Sequence, residues 1–247
     1  MQILPADHSK GLNRNRLKYI ALAAMLLDHV GYLFLSKKFL PWVVCRLIGR
    51  LTCPIMCFFL AEGFAYTASK KKYAQRLFLF ALLSQLPFCY AQNATLLTWR
   101  LLTHGNILFS LLFAFLFLWV WESKLPLLAK LPCLALLFLL GRYCDWGVWV
   151  TLFVLSFHLF HGQKAKQILV FGILAILRIA YSVAIPMMAG KDYSFALIQS
   201  GTLLTLPLLW LYNGKKGDSH PFHKWVFYVF YPLHLLLLAW IRFAWMG

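Results

Sequence analysis

Asp28 and His29 interrupt the apolar run LKYIALAAMLLDHVG, and Lys18 precedes His29 by eleven residues. An ionisable side chain at membrane depth is costly unless it is paired or faces a cavity, so its presence there points to function. Eleven residues are almost three helical turns, about 16 Å of rise, so Lys18 and His29 share one helix face, the cation at the mouth and the imidazole near mid-membrane. Arg46 and Arg50 lie one turn apart in CRLIGRLTCPIMCFFLAEG, with Glu62 three turns further on. Pro54 between them is expected to break or kink the helix and to free carbonyls that must line protein or water. Gln85, Asn106, Arg178 and His234, the last in KWVFYVFYPLHLL, complete the polar set inside apolar runs. Interhelical hydrogen bonding accounts for Gln85 and Asn106 as readily as ligand binding does. Arg178 is a candidate partner for Glu62 or Asp28.

Two chemistries would use this set. A histidine oriented by a carboxylate and reached past basic groups is suited to act as general base in acyl transfer. Coenzyme A brings phosphates, which Lys18, Lys70, Lys71, Lys72, Arg76, Lys215 and Lys216 would draw to one mouth. A proton-coupled transporter or channel would instead use His29, Asp28, Glu62 and His234 as a relay. The residues alone leave both open. No metal is expected, because the six cysteines, Cys45, Cys53, Cys57, Cys89, Cys133 and Cys144, show no zinc-ligand spacing with histidines; they read as thiols acting as small hydrophobes.

The elements that must position these groups are membrane helices. The chain has 247 residues, 62% hydrophobic and 13% charged, with a net charge of +17. A soluble domain would be about half apolar and a quarter charged. Its 24 Lys and Arg are scattered between apolar runs rather than gathered on one face, which argues against nucleic acid. About nine runs approach the roughly 20 apolar residues that cross a bilayer: 17–36, 42–66, 74–90, 104–121, 127–141, 146–161, 167–185, 195–212 and 223–243. An N-terminus inside puts most cations in cytoplasmic loops and leaves Lys37, Lys38, Arg100, Arg142, Lys191 and Arg242 outside. The expectation is an all-α polytopic protein of the cell membrane. Residues 1–16 form a basic cytoplasmic segment, and 17–245 form a single transmembrane domain whose first run is retained rather than cleaved. Trp42, Trp99, Trp119, Trp121, Trp146, Trp149, Trp225 and Trp245 read as an interfacial belt. The remaining histidines read as solvated loop residues.

The stretches LKYIALAAMLLDHVG, GRLTCPIMCFFLAEGF, YAQRLFLFALLSQLPF, GNILFSLL, YNGKKG and KWVFYVFYPLHLL resemble the TraX family, in that family's order, from Leu17 to Leu236. These are membrane proteins associated with N-terminal acetylation of conjugative pilin. The resemblance extends to the acyltransferase 3 superfamily, whose first helix carries a basic residue, ten residues, then a histidine, as Lys18 and His29 do. Its paired arginines stand three apart, whereas Arg46 and Arg50 stand four apart. The resemblance implies an acyltransferase 3-like bundle that moves an acetyl or other acyl group from cytosolic acyl-CoA to an acceptor amine or hydroxyl on a peptide, small molecule or glycan. On that reading His29 is the base, Asp28 or Glu62 orients it, and His234 is a second acid or base. Arg46 and Arg50 hold the oxyanion or an acceptor anion, and Lys18, Asn106, Lys215 and Lys216 help bind acyl-CoA or acceptor. Membrane lipids are further partners, and a homo-oligomer is compatible with the pattern.

Overall fold

A computed structural model describes residues 11–93 and 100–245. Lys10, Trp99 and most of the 1–16 segment lie outside the described residues, as do the side chains of Arg100, Lys224 and Trp245. In chain order the helices are α1 (Arg14–Phe34), α2 (Leu40–Gly49), α3 (Thr52–Tyr66), α4 (Lys70–Asn93), α5 (Arg100–Thr103), α6 (Ile107–Trp121), α7 (Leu127–Arg142), α8 (Val148–Leu159) and α9 (Lys164–Met188). A 3₁₀ segment (Ser194–Leu204), α10 (Thr205–Trp210) and α11 (Phe222–Trp245) follow. Among the described residues the only β pairing is two isolated bridges, Leu12 with Tyr212 and Gly105 with Cys144. The all-helical class is therefore as expected. Among the described residues four stretches are long and apolar enough to cross a membrane: Arg14–Phe34, Leu40–Tyr66, Lys164–Met188 and Trp225–Ala244.

Local chemistry sets the helix ends. Asn13 caps α1 by accepting the Arg16 amide at 2.9 Å, and Asn106 caps α6 by accepting the Leu108 amide at 2.9 Å, each satisfying a donor that the first turn leaves unpaired. The break expected from Pro54 falls one turn earlier, at Arg50 and Leu51. Pro54 has no N–H to offer the Arg50 carbonyl, and the amides of Arg50 and Leu51 bond three residues back, to Leu47 and Ile48, at 3.2 and 3.0 Å. The Arg46 carbonyl, which a continuous α-helix would pair with the Arg50 amide, instead accepts Arg50 Nε at 3.2 Å. Thr52 Oγ1 donates to the Ala21 carbonyl at 3.0 Å, pinning the start of α3 to α1.

The core lies where α3, α6, α8 and α9 meet, filled by the fully buried rings of Phe64, Phe115, Phe153, Phe157 and Phe171. The outward faces carry apolar side chains, among them Leu169, Ile173, Ile176 and Leu177 on α9, all at least half exposed. That is the inverse of a soluble surface and suits lipid contact. α1 packs on α2, α3 and α11, and α4 packs on α6 and α11. Those contacts bring residues from distant runs to one place.

Candidate functional site

A cavity of about 210 Å³ opens between α1, α2, α3, α4, α6 and α11, lined among others by Asp28, His29, Arg46, Arg50, Asp145 and Trp146. α1 supplies Asp28 and His29 on successive residues, about 100° apart around the helix. Asp28 turns to α2: its carboxylate accepts Arg46 Nη1 at 2.8 Å and Arg50 Nη2 at 2.8 and 2.9 Å. Gly49 makes this approach possible, since a Cβ there would overlap the Asp28 carboxylate. Asp28 therefore does not orient His29; both of its oxygens are committed to guanidiniums. Arg46 and Arg50 stand together, as expected from their spacing, and share one carboxylate between them, which leaves one positive charge uncompensated.

The partner of His29 comes from α11. His234 Nδ1 lies 2.7 Å from the Phe230 carbonyl, which can only accept, so the proton of a neutral His234 is assigned to Nδ1 and Nε2 carries the lone pair. That Nε2 lies 3.2 Å from His29 Nδ1, which also lies 2.8 Å from the Met25 carbonyl. Both neighbours accept, so His29 Nδ1 bears a hydrogen shared between them, and the lone pair of a neutral His29 falls on Nε2. No described residue bonds that nitrogen. The two rings meet edge to face with centroids 4.9 Å apart, and Phe230 stacks on His234 at 4.8 Å. His234 is thus a buried orienting group for His29.

Glu62 lies elsewhere. It sits ten residues beyond Thr52 on α3, about 15 Å along the helix, where it accepts Arg14 Nε at 3.1 Å and the Tyr212 hydroxyl at 2.8 Å. There it lines a second cavity of about 270 Å³ with Tyr66, His161, Lys164 and Gly214. The expectation that Glu62 serves His29 is corrected by this separation: an ion pair closes the α1 and α3 ends together. Lys18 shares α1 with His29, and α1 runs unbroken through both. The Lys18 ammonium lies 4.7 Å from the Phe227 ring and 5.6 Å from the Phe59 ring. Phe227 lines the first cavity, and Phe59 packs on Tyr212 of the second, so Lys18 stands in the wall between them.

Asn106 is fully buried, and its side chain is consumed by Ala81, Gln85 and its own helix cap, so it is structural rather than a ligand-binding residue. Lys215 and Lys216 are exposed on the loop after α10. The Lys215 carbonyl accepts the Arg14 amide at 2.8 Å, placing both lysines beside the second cavity. Arg178 pairs with neither Glu62 nor Asp28: it donates to Gln199 at 3.1 Å and lies 3.9 Å from the Trp146 ring, which Arg50 also approaches at 5.2 Å. Trp146, read from sequence as a belt residue, is thus part of the site, and Asp145 enters with it. The available signal was an acid and a tryptophan beside a glycine at the end of a run, in CDWG. Among the described residues no three His, Cys, Asp or Glu side chains gather as metal ligands.

Residues 13–242 match the family model described as TraX protein. The chain is 34% identical over 231 residues to the "Probable fimbrial assembly protein FimC, serogroup H1" of Dichelobacter nodosus, a match covering 91% of this chain and 93% of that protein. No solved structure matches the chain. The family match spans nearly all the helices that build both cavities, and the chain belongs to the TraX family.

Proposed function

We propose that this protein is a membrane-embedded acyltransferase that moves an acetyl or other acyl group from a cytosolic acyl-CoA to an amine. The observation that carries the reading is the setting of His29: its Nδ1 lies 2.8 Å from the Met25 carbonyl and 3.2 Å from His234 Nε2, which assigns the proton there and leaves the Nε2 lone pair unbonded among the described residues in a ring that lines a cavity. A general base needs that arrangement. His29 Nε2 takes a proton from the acceptor nitrogen as the nitrogen attacks the thioester carbonyl carbon. A C–N bond forms, the C–S bond breaks with its electron pair on sulfur, and His29 returns the proton to the thiolate. The products are an amide and free CoA thiol. Arg46 and Arg50, on the same cavity wall, would stabilise the oxyanion.

The Lys18 and His29 spacing supports kinship with the acyltransferase 3 superfamily. Lys164, Lys215 and Lys216 around the second cavity suit the phosphates of the donor, with that cavity as the cytoplasmic entry. The name of the Dichelobacter relative, a fimbrial assembly protein, favours a pilin N-terminus as acceptor. The relay alternative is weakened because Asp28 is committed to two arginines and Glu62 lines the other cavity. Purified protein in lipid nanodiscs, given acetyl-CoA and peptides with free N-termini, is expected to release free thiol. His29→Ala should lower that rate by about 10²–10⁴-fold. Proton flux into sealed vesicles without thioester consumption would overturn the reading in favour of transport.

A further inference from the structure

We infer that Asp145 is the specificity-determining residue that holds the acceptor nitrogen in its cationic form; this inference rests on the acyl-transfer reading. Among the described residues two carboxylates line the first cavity. Asp28 is saturated by Arg46 and Arg50. Asp145 is not: its Oδ1 accepts the Trp146 amide at 3.0 Å, Oδ2 has no hydrogen bond among the described residues, and no ion pair to Asp145 forms among them. It is half-buried, beside the same opening as His29.

The backbone fixes it there. The Asp145 amide donates to the Gly105 carbonyl at 2.8 Å, and its carbonyl accepts the Ser110 hydroxyl, tying the turn to α6. The next residue, Trp146, adopts φ 64°, a left-handed conformation that a bulky side chain rarely takes. Strain of this kind persists where the surroundings impose it and clusters at ligand sites. Here the Trp146 ring is held by Arg50 and Arg178 while Asp145 is turned along the cavity wall.

The resulting cavity is dipolar. The group formed by Asp28, Arg46 and Arg50 carries one positive charge in excess, and Asp145 carries one negative charge on a separate element. The tetrahedral intermediate of an amine attacking a thioester has the same polarity, with a cationic nitrogen and an anionic oxygen. An amine also arrives as ammonium: binding to Asp145 precedes loss of one proton to solvent, which leaves His29 Nε2 free to take the next proton as the neutral nitrogen attacks. A hydroxyl acceptor passes through no cationic oxygen of comparable lifetime, so the same carboxylate would only disfavour its deprotonation. Asp145 thus selects amines over alcohols. A bound divalent cation is a poorer occupant, since no third acidic or imidazole ligand stands nearby among the described residues.

The test uses n-hexylammonium and n-hexanol, matched in length, as probes of the full chain in nanodiscs. Thermal unfolding should rise with n-hexylammonium and not with n-hexanol, and Asp145→Asn should weaken the ammonium's apparent affinity about tenfold or more, the scale of one charge-assisted hydrogen bond. Asp145→Glu should keep the preference. Equal stabilisation of the wild type by both probes overturns the inference without reference to any variant, as does an Asp145→Asn protein that retains the discrimination. Ammonium binding intact with no thiol release from acetyl-CoA would overturn the acyl-transfer reading alone; thiol release from an amine acceptor with KM unchanged in Asp145→Asn would overturn the role of Asp145 alone.

Discussion

At the residue scale, the site divides its labour between two adjacent positions on α1. His29 faces α11 and the cavity, and Asp28 faces α2, because successive helical residues point about 100° apart. On the acyl-transfer reading His234 would act on substrate only through His29, as a positioning residue. His234→Ala leaves Met25 to hold the His29 hydrogen, so the tautomer survives while the ring loses one of its two anchors. The expected result is a fall in kcat of about tenfold, well short of the His29→Ala loss, with the KM for acetyl-CoA unchanged. A change in KM with constant kcat would place His234 in donor binding instead.

At the element scale, the α2–α3 break and the α1–α2 contact decide the site. Pro54 ends the regular bonding at Arg50, and Gly49 lets α2 approach until two guanidiniums reach one carboxylate. Gly49→Ala inserts a methyl group where Asp28 already stands. It should cost about 1–3 kcal/mol of stability, as overpacking does, and should also abolish thiol release; a lower melting temperature with full turnover would show that the Asp28 cluster is dispensable. At the other end, α4, α6 and α8 are joined at Glu122, which accepts Lys70 Nζ at 2.6 Å and lies 3.0 Å from His158 Nε2. Burial alone would raise the Glu122 carboxyl, but the hydrogen bond and charge of Lys70 and the charge of His158 outweigh it and hold it below its ordinary 4.5. The folded state thus binds this proton less tightly than the unfolded state. Its stabilising contribution is complete above pH about 4.5 and is lost as pH falls through the lower folded value. The melting-temperature gap between wild type and Glu122→Gln should therefore be present near neutrality, small as for any exposed pair, and should close in acid. A gap that widens on acidification would contradict this sign.

At the scale of the whole molecule, two cavities lie at opposite ends of the bundle, with Lys18 between them. Along α3 the lining passes from Thr52, Cys53 and Met56 of the first cavity to Phe58, Glu62 and Tyr66 of the second. The basic start of α4, Lys70–Lys72, and the loop carrying Lys215 and Lys216 share the end of the second cavity with Arg14, and the positive-inside rule predicts that this end is cytoplasmic. With native reactive thiols removed, Lys216→Cys should label with a membrane-impermeant maleimide only after cell lysis, and Lys38→Cys should label in intact cells. The reverse pattern would invert the orientation and place the donor entry at the first cavity.

How much of this was legible in sequence follows from what each feature depends on. The helical class, the membrane character, the break near Pro54 and the common face of Lys18 and His29 depend on local periodicity, composition and the missing proline N–H, and all of these stand in the residues themselves. The pairing of buried charges does not. Asp28, Glu62 and Arg178 were equally available to one another as residue types. Their partners were chosen by which helices touch: Gly49 admits Asp28 to Arg46 and Arg50, the Tyr212 loop draws Glu62 to Arg14, and Trp146 claims Arg178. Asp145 lies in a turn with no periodicity to mark it and Trp146 at the first position of an apolar run, where it reads as a belt residue; both became part of the site only when α6, α8 and α9 closed around that turn. The sequence by itself determined a bundle of apolar helices with costly polar groups inside it. The tertiary structure decided which of those groups neutralise one another and which, His29 and Asp145, keep an atom uncommitted.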